Sequence, residues 1–279
     1  MIIDFHTHSH ASDGALAPLQ LLREAIAAGV EQFAITDHDT VAGYCEVLAS
    51  QVALPEGFQL LSGTELSCVW NGVAIHVLGL GMDIEEPGFA AGLLQLQRAR
   101  RERARLIAEK LEQKGMPGAL SGAQEKAGSS QIGRPHFAEW MIDAGHVKDA
   151  NTAFDRYLGS GKVGDVKTCW PELAEVTRWI TGAGGTAIVA HPLKYRMTRA
   201  KLRRLLADFV AAGGHGMEVF SGRQTADQTI DLCKLAQDLD LLVSAGSDFH
   251  RHWEYGPSLG VDVTRLPAFI KLYQPGLAA

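Results

Sequence analysis

Met1-Ile2-Ile3-Asp4-Phe5-His6-Thr7-His8 opens the chain, an apolar run that closes on two histidines with one residue between them. Residues 1–5 read as a strand, since Ile and Phe suit extended backbone. On such backbone residues i and i+2 share a face, so His6 and His8 can aim both imidazoles at one point. Asp13 follows five residues on. The same arrangement recurs outward along the chain. Residues 32–36 lead into Asp37-His38-Asp39, 60–64 into Glu65, 186–190 into His191-Pro192, and 241–245 into Asp248-Phe249-His250, while 73–80 carries His76 within it. Residues 217–220 make a seventh strand. Between strands lie helical patterns at 18–28 (Leu19, Leu22 and Ile26 on one face, Pro18 at the opening, Gly29 at the close), 171–181, 199–212 and 225–239. Seven strands in a β/α rhythm predict an α/β fold, a closed or nearly closed parallel barrel.

The rhythm breaks once. Residues 89–114 form one long helical stretch rich in arginine, with shorter helical pieces near 135–143 and 150–158. The simplest account is an all-helical insertion, 87–167, between the barrel segments 1–86 and 168–279, hanging over one end of the barrel.

Composition bounds the function. The 279 residues are 46% hydrophobic and 21% charged, enough apolar material for a large core, which rules out disorder as the main state. A net charge of −6 argues against wholesale coating of nucleic acid. Cys45, Cys68, Cys169 and Cys233 stand far apart without a CxxC pair, so neither a disulfide framework nor a thiolate zinc site is expected. The longest run free of Asp, Glu, Lys and Arg, residues 66–82, is shorter than the roughly 20 apolar residues of a spanning helix. A soluble, cytoplasmic protein with no membrane association and no obligate protein partner is expected.

Barrels of this kind place their chemistry at the C-terminal ends of the strands, so the ligand-type residues should converge. Imidazoles and carboxylates together suit first-row divalent metals, and a carboxylate can bridge two ions. His6, His8, His38, His76, His191 and His250 with Asp13, Glu65 and Asp248 make nine donors, too many for one ion and about right for two or three. His10, His146, His215 and His252 are expected to be solvated or structural.

The stretches HTHSHASDG (6–14), ITDHDT (35–40), GTELS (63–67), AHP (190–192) and GSDFH (246–250) span nearly the whole barrel in order. As a set they resemble the polymerase and histidinol phosphatase (PHP) family. Gly133-Arg134-Pro135-His136 and Tyr157-Leu158-Gly159-Ser160-Gly161-Lys162 resemble the branch with 3′,5′-nucleoside-bisphosphate phosphatases and 5′→3′ exonucleases on short oligonucleotides; Val163 stands where relatives tend to have proline. The resemblance implies a distorted (β/α)7 barrel, with the nine donors above as metal positions. It also implies Glu65 as a bridge and two or three ions, manganese first, with iron or zinc as alternatives.

Metal-assisted removal of the 3′-phosphate from a nucleoside 3′,5′-bisphosphate is then the expected reaction, a metal-activated hydroxide attacking phosphorus. Glu65, Asp13 and His191 are the candidate catalytic groups. Arg134, His136, Lys162 and Arg196 are the candidates for substrate contact, Arg134 because its fork matches phosphate. Exonuclease action on short oligonucleotides is the alternative, with Trp140, Tyr157 or Trp170 as stacking surfaces. Histidinol-phosphate phosphatase activity is weaker, since an amine has little use for the insertion's cations. Lys194, Arg196, Arg199, Lys201, Arg203 and Arg204 follow His191 with no acid among them and suggest a steering field; the basic face of 98–114 reads as solvated, with pairs Arg98–Glu102 and Arg105–Glu109.

Overall fold

The computed structural model describes residues 1–254 and 256–276. The strands are β1 (Ile2–Asp4), β2 (Gln32–Ala34), β3 (Gln59–Leu61), β4 (Gly63–Trp70), β5 (Val73–Leu80), β6 (Thr186–Val189), β7 (Gly216–Ser221), β8 (Leu242–Gly246), β9 (Val261–Asp262) and β10 (Lys271–Leu272). They form two sheets, β3-β2-β1-β9 and β10-β8-β7-β6-β5-β4. The sheets meet along both margins. Phe5 N donates to Ala245 O at 3.2 Å and Thr7 bridges Phe249 on one side, while His38 bridges Glu65 on the other. The barrel is thus distorted, its ladder interrupted where the sheets touch.

It is not all parallel. β4 pairs antiparallel with β5, and β5 with β6. The cause is legible in Trp70-Asn71-Gly72-Val73: Asn71 (φ 46°) and Gly72 (φ 73°) adopt the left-handed conformations of a two-residue hairpin turn. The strand expected at 60–64 is split at Ser62, so Glu65 stands inside β4 rather than beyond a strand end. Gly63 makes that crossing; a Cβ there would come within 2.7 Å of Ile35 O.

Helices α1 (Pro18–Ala27) and α2 (Ala42–Ala49) cover the four-stranded sheet, burying Leu21, Leu22 and Val47 with Phe33 and Ile35. α2 has no counterpart among the expected helices, for its eight residues show little one-sided patterning. The insertion contributes α3 (Pro87–Glu112), α4 (Ala119–Ala127), α5 (Arg134–Asp143), α6 (Ala150–Ala153) and a π-helical turn, Phe154–Leu158. α7 (Leu173–Gly182), α8 (Arg199–Ala211) and α9 (Ala226–Asp238) back the larger sheet. Ile3, Phe5, Leu78, Ile188 and Ala245 fill the barrel interior. The insertion gathers its own apolar cluster, Ile107 and Leu111 of α3 against Phe137 and Met141 of α5. Among the described residues no helix is long and apolar enough to cross a membrane.

α3 joins the two parts. Its first half, Phe89 and Leu96, packs with the sheet; its second half belongs to the insertion cluster. Arg105 pairs with Glu102 and Glu109, but Arg98–Glu102 is not formed, and Arg100 and Arg103 are buried rather than solvated. Arg103 donates to Val166 O at 2.9 Å and lies over Trp170. Arg100 donates to both Asp39, the residue after His38, and Ile132 O. Asp39 also accepts from Ser67 N at 2.6 Å, so one buried carboxylate ties α3, β4 and the loop after β2. Leaving such a charge without its partner costs about 3–5 kcal/mol. Arg100→Met is therefore expected to lower unfolding free energy by about that amount in urea titrations at neutral pH; a change within about 0.5 kcal/mol, as for ordinary surface sites, would contradict it.

Candidate metal centre

The three loops that carry the first, second and last motifs are laced together by backbone. His8 N donates to Phe249 O at 2.8 Å, Asp248 N to His6 O at 2.8 Å, and Thr36 N to Thr7 O at 2.8 Å. Gly246 permits this approach, since a Cβ there would lie 2.4 Å from His6 Cβ. Asp37 accepts from Ser9 N, Ser9 Oγ and Ser12 Oγ, holding the turn that presents Asp13. The insertion rests on the same turn through Ser130 Oγ to His10 O and Gln131 N to Ala11 O. His191 (φ 28°) and Asp248 (φ 55°) sit in left-handed backbone that side chains rarely adopt, at a cost of about 1–3 kcal/mol each. Such strain persists only where surrounding bonds over-determine it.

All nine predicted donors converge. Around Glu65 Oε2 lie His6 Nε2 at 3.2 Å and His8 Nε2 at 3.2 Å, each 3.5 Å from Asp248 Oδ1. An ion with bonds of about 2.1 Å in tetrahedral geometry separates its ligands by about 3.4 Å, so these edges fit one cation. Glu65 Oε1 faces the other way, 2.7 Å from His76 Nδ1 and 2.8 Å from His191 Nε2. A third group, Asp13 with His38, His250 and His8, lies alongside: His250 Nε2 is 3.4 Å and His38 Nε2 3.7 Å from Asp13 oxygens. His6 Nε2, both ring nitrogens of His8, His38 Nδ1, His191 Nδ1 and Asp13 Oδ1 are buried without a hydrogen-bond partner. Orphaned buried donors and acceptors are costly. These nitrogens and oxygens suit divalent cations, and the site accommodates them.

Glu218 on β7 was not anticipated. It is fully buried beneath the cluster, 3.1 Å from His6 Nδ1, and accepts from His191 N at 2.7 Å. A carboxylate on the far nitrogen fixes the tautomer that leaves Nε2 free to bind a metal. The signal was a lone acid inside the apolar run Met217-Glu218-Val219-Phe220. Asp4 likewise accepts from His6, Ser247 and Gly260 amides, and burial pushes it up to about 6.

Burial alone would lower His8, but the carboxylates of Asp248 and Glu65 beside its ring raise it to about 9. Burial, reinforced by Lys194, lowers His191 to about 4. Burial would raise Glu65, yet the surrounding imidazoles hold it well below the carboxylate range.

The expected substrate residues are dispersed. Arg196, exposed and in left-handed backbone, lines a cleft of about 900 Å³ that opens from Asp13, Asp248 and His250. Arg134 donates to Leu158 O at 3.0 Å, lies over Phe154, feels the charge of Asp165 more than that of Asp13, and is not among the residues lining the cleft. His136 is buried, its Nδ1 accepting from Gly133 N. Lys162 is exposed on the loop after the π turn and is not among the residues lining the cleft. Of the six cations after His191, Lys194 and Arg196 line the cleft; Lys194 pairs with Asp248. The other four sit on α8, where Arg199 and Arg203 pair with Asp238. The field is thus narrower than the run of sequence suggests. His252 pairs with Glu24, His215 accepts from Ala187 N and His146 packs on Trp140.

A PHP-domain model matches residues 4–118. A 3′,5′-nucleoside bisphosphate phosphatase of Chromobacterium violaceum is 42% identical over 262 residues, covering 92% of this chain and 90% of its own. The chain belongs to the PHP family. A 5′-3′ exoribonuclease of Haemophilus influenzae is 44% identical over 250 residues, covering 88% of this PHP chain and 89% of its own. A solved Chromobacterium violaceum structure, described as an amidohydrolase with bound sulfate and no metal, superposes with a TM-score of 0.86 at 40% identity, covering 97% of this PHP chain and 93% of its own.

Two outcomes follow for the metal centre. Glu218→Gln should weaken divalent-metal affinity about 10- to 100-fold in chelator competition; unchanged affinity would contradict its role. With His8 raised to about 9, the metal-free cluster carries a proton at pH 7 that a metal must displace. Calorimetry in buffers of differing ionisation enthalpy should show net proton release on metal addition, with affinity falling as pH drops; no release would count against the assignment.

Proposed function

We propose that this PHP phosphoesterase removes the 3′-phosphate of nucleoside 3′,5′-bisphosphates, giving a nucleoside 5′-phosphate and phosphate. The observation that carries the chemistry is Glu65, whose two oxygens face separate sets of imidazoles. His6, His8, Glu65 and Asp248 would hold one ion, Glu65, His76 and His191 a second, and Asp13, His38 and His250 a third. Manganese is the cation we favour. When bound, divalent ions supply Lewis acidity towards the phosphoryl oxygens and a nucleophile at neutral pH.

The chain's own residues do the rest. Glu65 keeps the donor sets in register, and Asp13 and His191 complete them. Lys194, held at the cluster by Asp248, offers an ammonium to a phosphate entering from the cleft. Arg134, with one nitrogen anchored on Leu158 O, keeps the other nitrogens of its fork for a ligand and would clamp the second phosphate. The insertion, 87–167, is the substrate-binding part in this reading. The phosphatase relative at 42% identity supports the monoester choice.

Manganese-loaded protein with adenosine 3′,5′-bisphosphate should release adenosine 5′-phosphate, followed by chromatography. Recovery of adenosine 3′-phosphate, or no turnover, would overturn the assignment. Arg134→Ala should raise KM for the bisphosphate about tenfold or more while hardly changing that for an aryl phosphate, as for a lost charge-assisted contact; equal losses on both would remove Arg134 from substrate binding.

A further inference from the structure

Neither the donor cluster nor Arg134 accounts for the outer part of the cleft. At about 900 Å³ it stands near the top of the range of roughly 300–1,000 Å³ for small-ligand pockets. Its lining includes the ligands Asp13, Asp248 and His250 and also Trp253, which borders a neighbouring hollow as well. The three aromatics that the sequence singled out for stacking are not available there. Trp140 is packed against Gly122 and His146, Tyr157 belongs to the insertion cluster, and Trp170 is 8% exposed beneath Arg100 and Arg103. Trp253 is different. It is 61% exposed, and its ring lies on the turn closed by Gly256 N to Trp253 O at 2.9 Å. A Cβ on Gly256 would fall 2.2 Å from the indole Cδ1 and Nε1, so glycine lets the backbone seat the ring. A large, exposed ring resting on Gly256 therefore lines the same cleft as Asp13, Asp248 and His250.

The walls between carry positive charge. Arg196 has no side-chain partner among the described residues, and Arg223 lines the same wall. Arg251 reaches Glu139 of α5 at 3.4 Å, tying the loop after β8 to the insertion. A cationic groove with an exposed aromatic is how single strands are held without regard to sequence, the backbone on the charges and a base on the ring.

We propose that Trp253 is the stacking platform of an outer subsite that takes the base of a second nucleotide, so that a short single-stranded oligonucleotide occupies the whole cleft. The inference rests on the hydrolytic reading above and deepens it. In the bisphosphate the scissile bond joins phosphorus to the ribose O3′, and in an oligonucleotide the same bond is broken. Water adds one P–O bond, the P–O3′ bond is lost and O3′ leaves with a proton. The products are a nucleoside 5′-phosphate and a shortened strand with a new 5′-phosphate, in place of free phosphate. What differs is the nucleotide attached beyond the scissile phosphate, and that nucleotide needs the outer subsite.

Wild-type, Trp253→Ala and Trp253→Phe proteins with manganese are compared on a 5′-phosphorylated tetranucleotide and on adenosine 3′,5′-bisphosphate, with thermal melting to confirm folding. Trp253→Ala should raise KM for the tetranucleotide about tenfold, Trp253→Phe should stay within about twofold of wild type, and KM for the bisphosphate should not move. An unchanged tetranucleotide KM in Trp253→Ala would overturn the subsite while leaving bisphosphate hydrolysis intact. So would equal losses on both substrates, or a wild type that leaves the tetranucleotide uncut. A wild type that turns over neither substrate would remove the hydrolytic reading and the subsite with it.

Discussion

Everything at the end of this barrel is arranged around one buried carboxylate. Glu65 is 1% exposed and carries five imidazoles within about hydrogen-bonding range, three on one oxygen and two on the other. Without polar partners, burying such a charge would cost several kcal/mol. With them, it becomes the point through which strands β1, β2, β4, β5 and the loop after β6 must all agree in position. A displacement of any of these elements is felt by the donors of two groups at once.

That dependence explains features that look unrelated. The left-handed backbone at His191 and Asp248 is held because Glu218 accepts from His191 N and Lys194 pairs with Asp248. Asp39, next to His38, is also left-handed (φ 54°) and is gripped by Ser67 and Arg100. Arg100 comes from α3, so the insertion is braced against the residue beside a metal donor. The insertion and the donor cluster thus share a mechanical link, and Lys194, Arg196, Arg223 and Arg251 line the cleft that opens from Asp13, Asp248 and His250.

Much of the site was legible in the sequence because each donor is marked by its place relative to a short apolar run. The i, i+2 spacing drew attention to His6 and His8 and to Asp248 and His250, but both pairs stand just past their strands and Asp248 is left-handed, so the turns rather than strand geometry aim them. The antiparallel turn at β4–β5 departs from the parallel barrel expected, although Asn71-Gly72 signals it, and the expected strand at 60–64 ran across the break at Ser62. Arg100 and Arg103 were misread because a basic helix face is usually solvated, and nothing local shows that Asp39 and Val166 O await them. Glu218 was missed for the opposite reason: one acid in an apolar strand has no spacing signature. Lys162 and the α8 arginines show that closeness in sequence to a motif does not bring a side chain to the cleft.

The central claim, that Glu65 joins two cation sites, is tested most directly by anomalous diffraction at the manganese edge from crystals of the metal-loaded protein. The account predicts two peaks about 3.5–4 Å apart, one against each Glu65 oxygen, with any third peak among Asp13, His38 and His250. A single peak, or a pair that does not share Glu65, would contradict it.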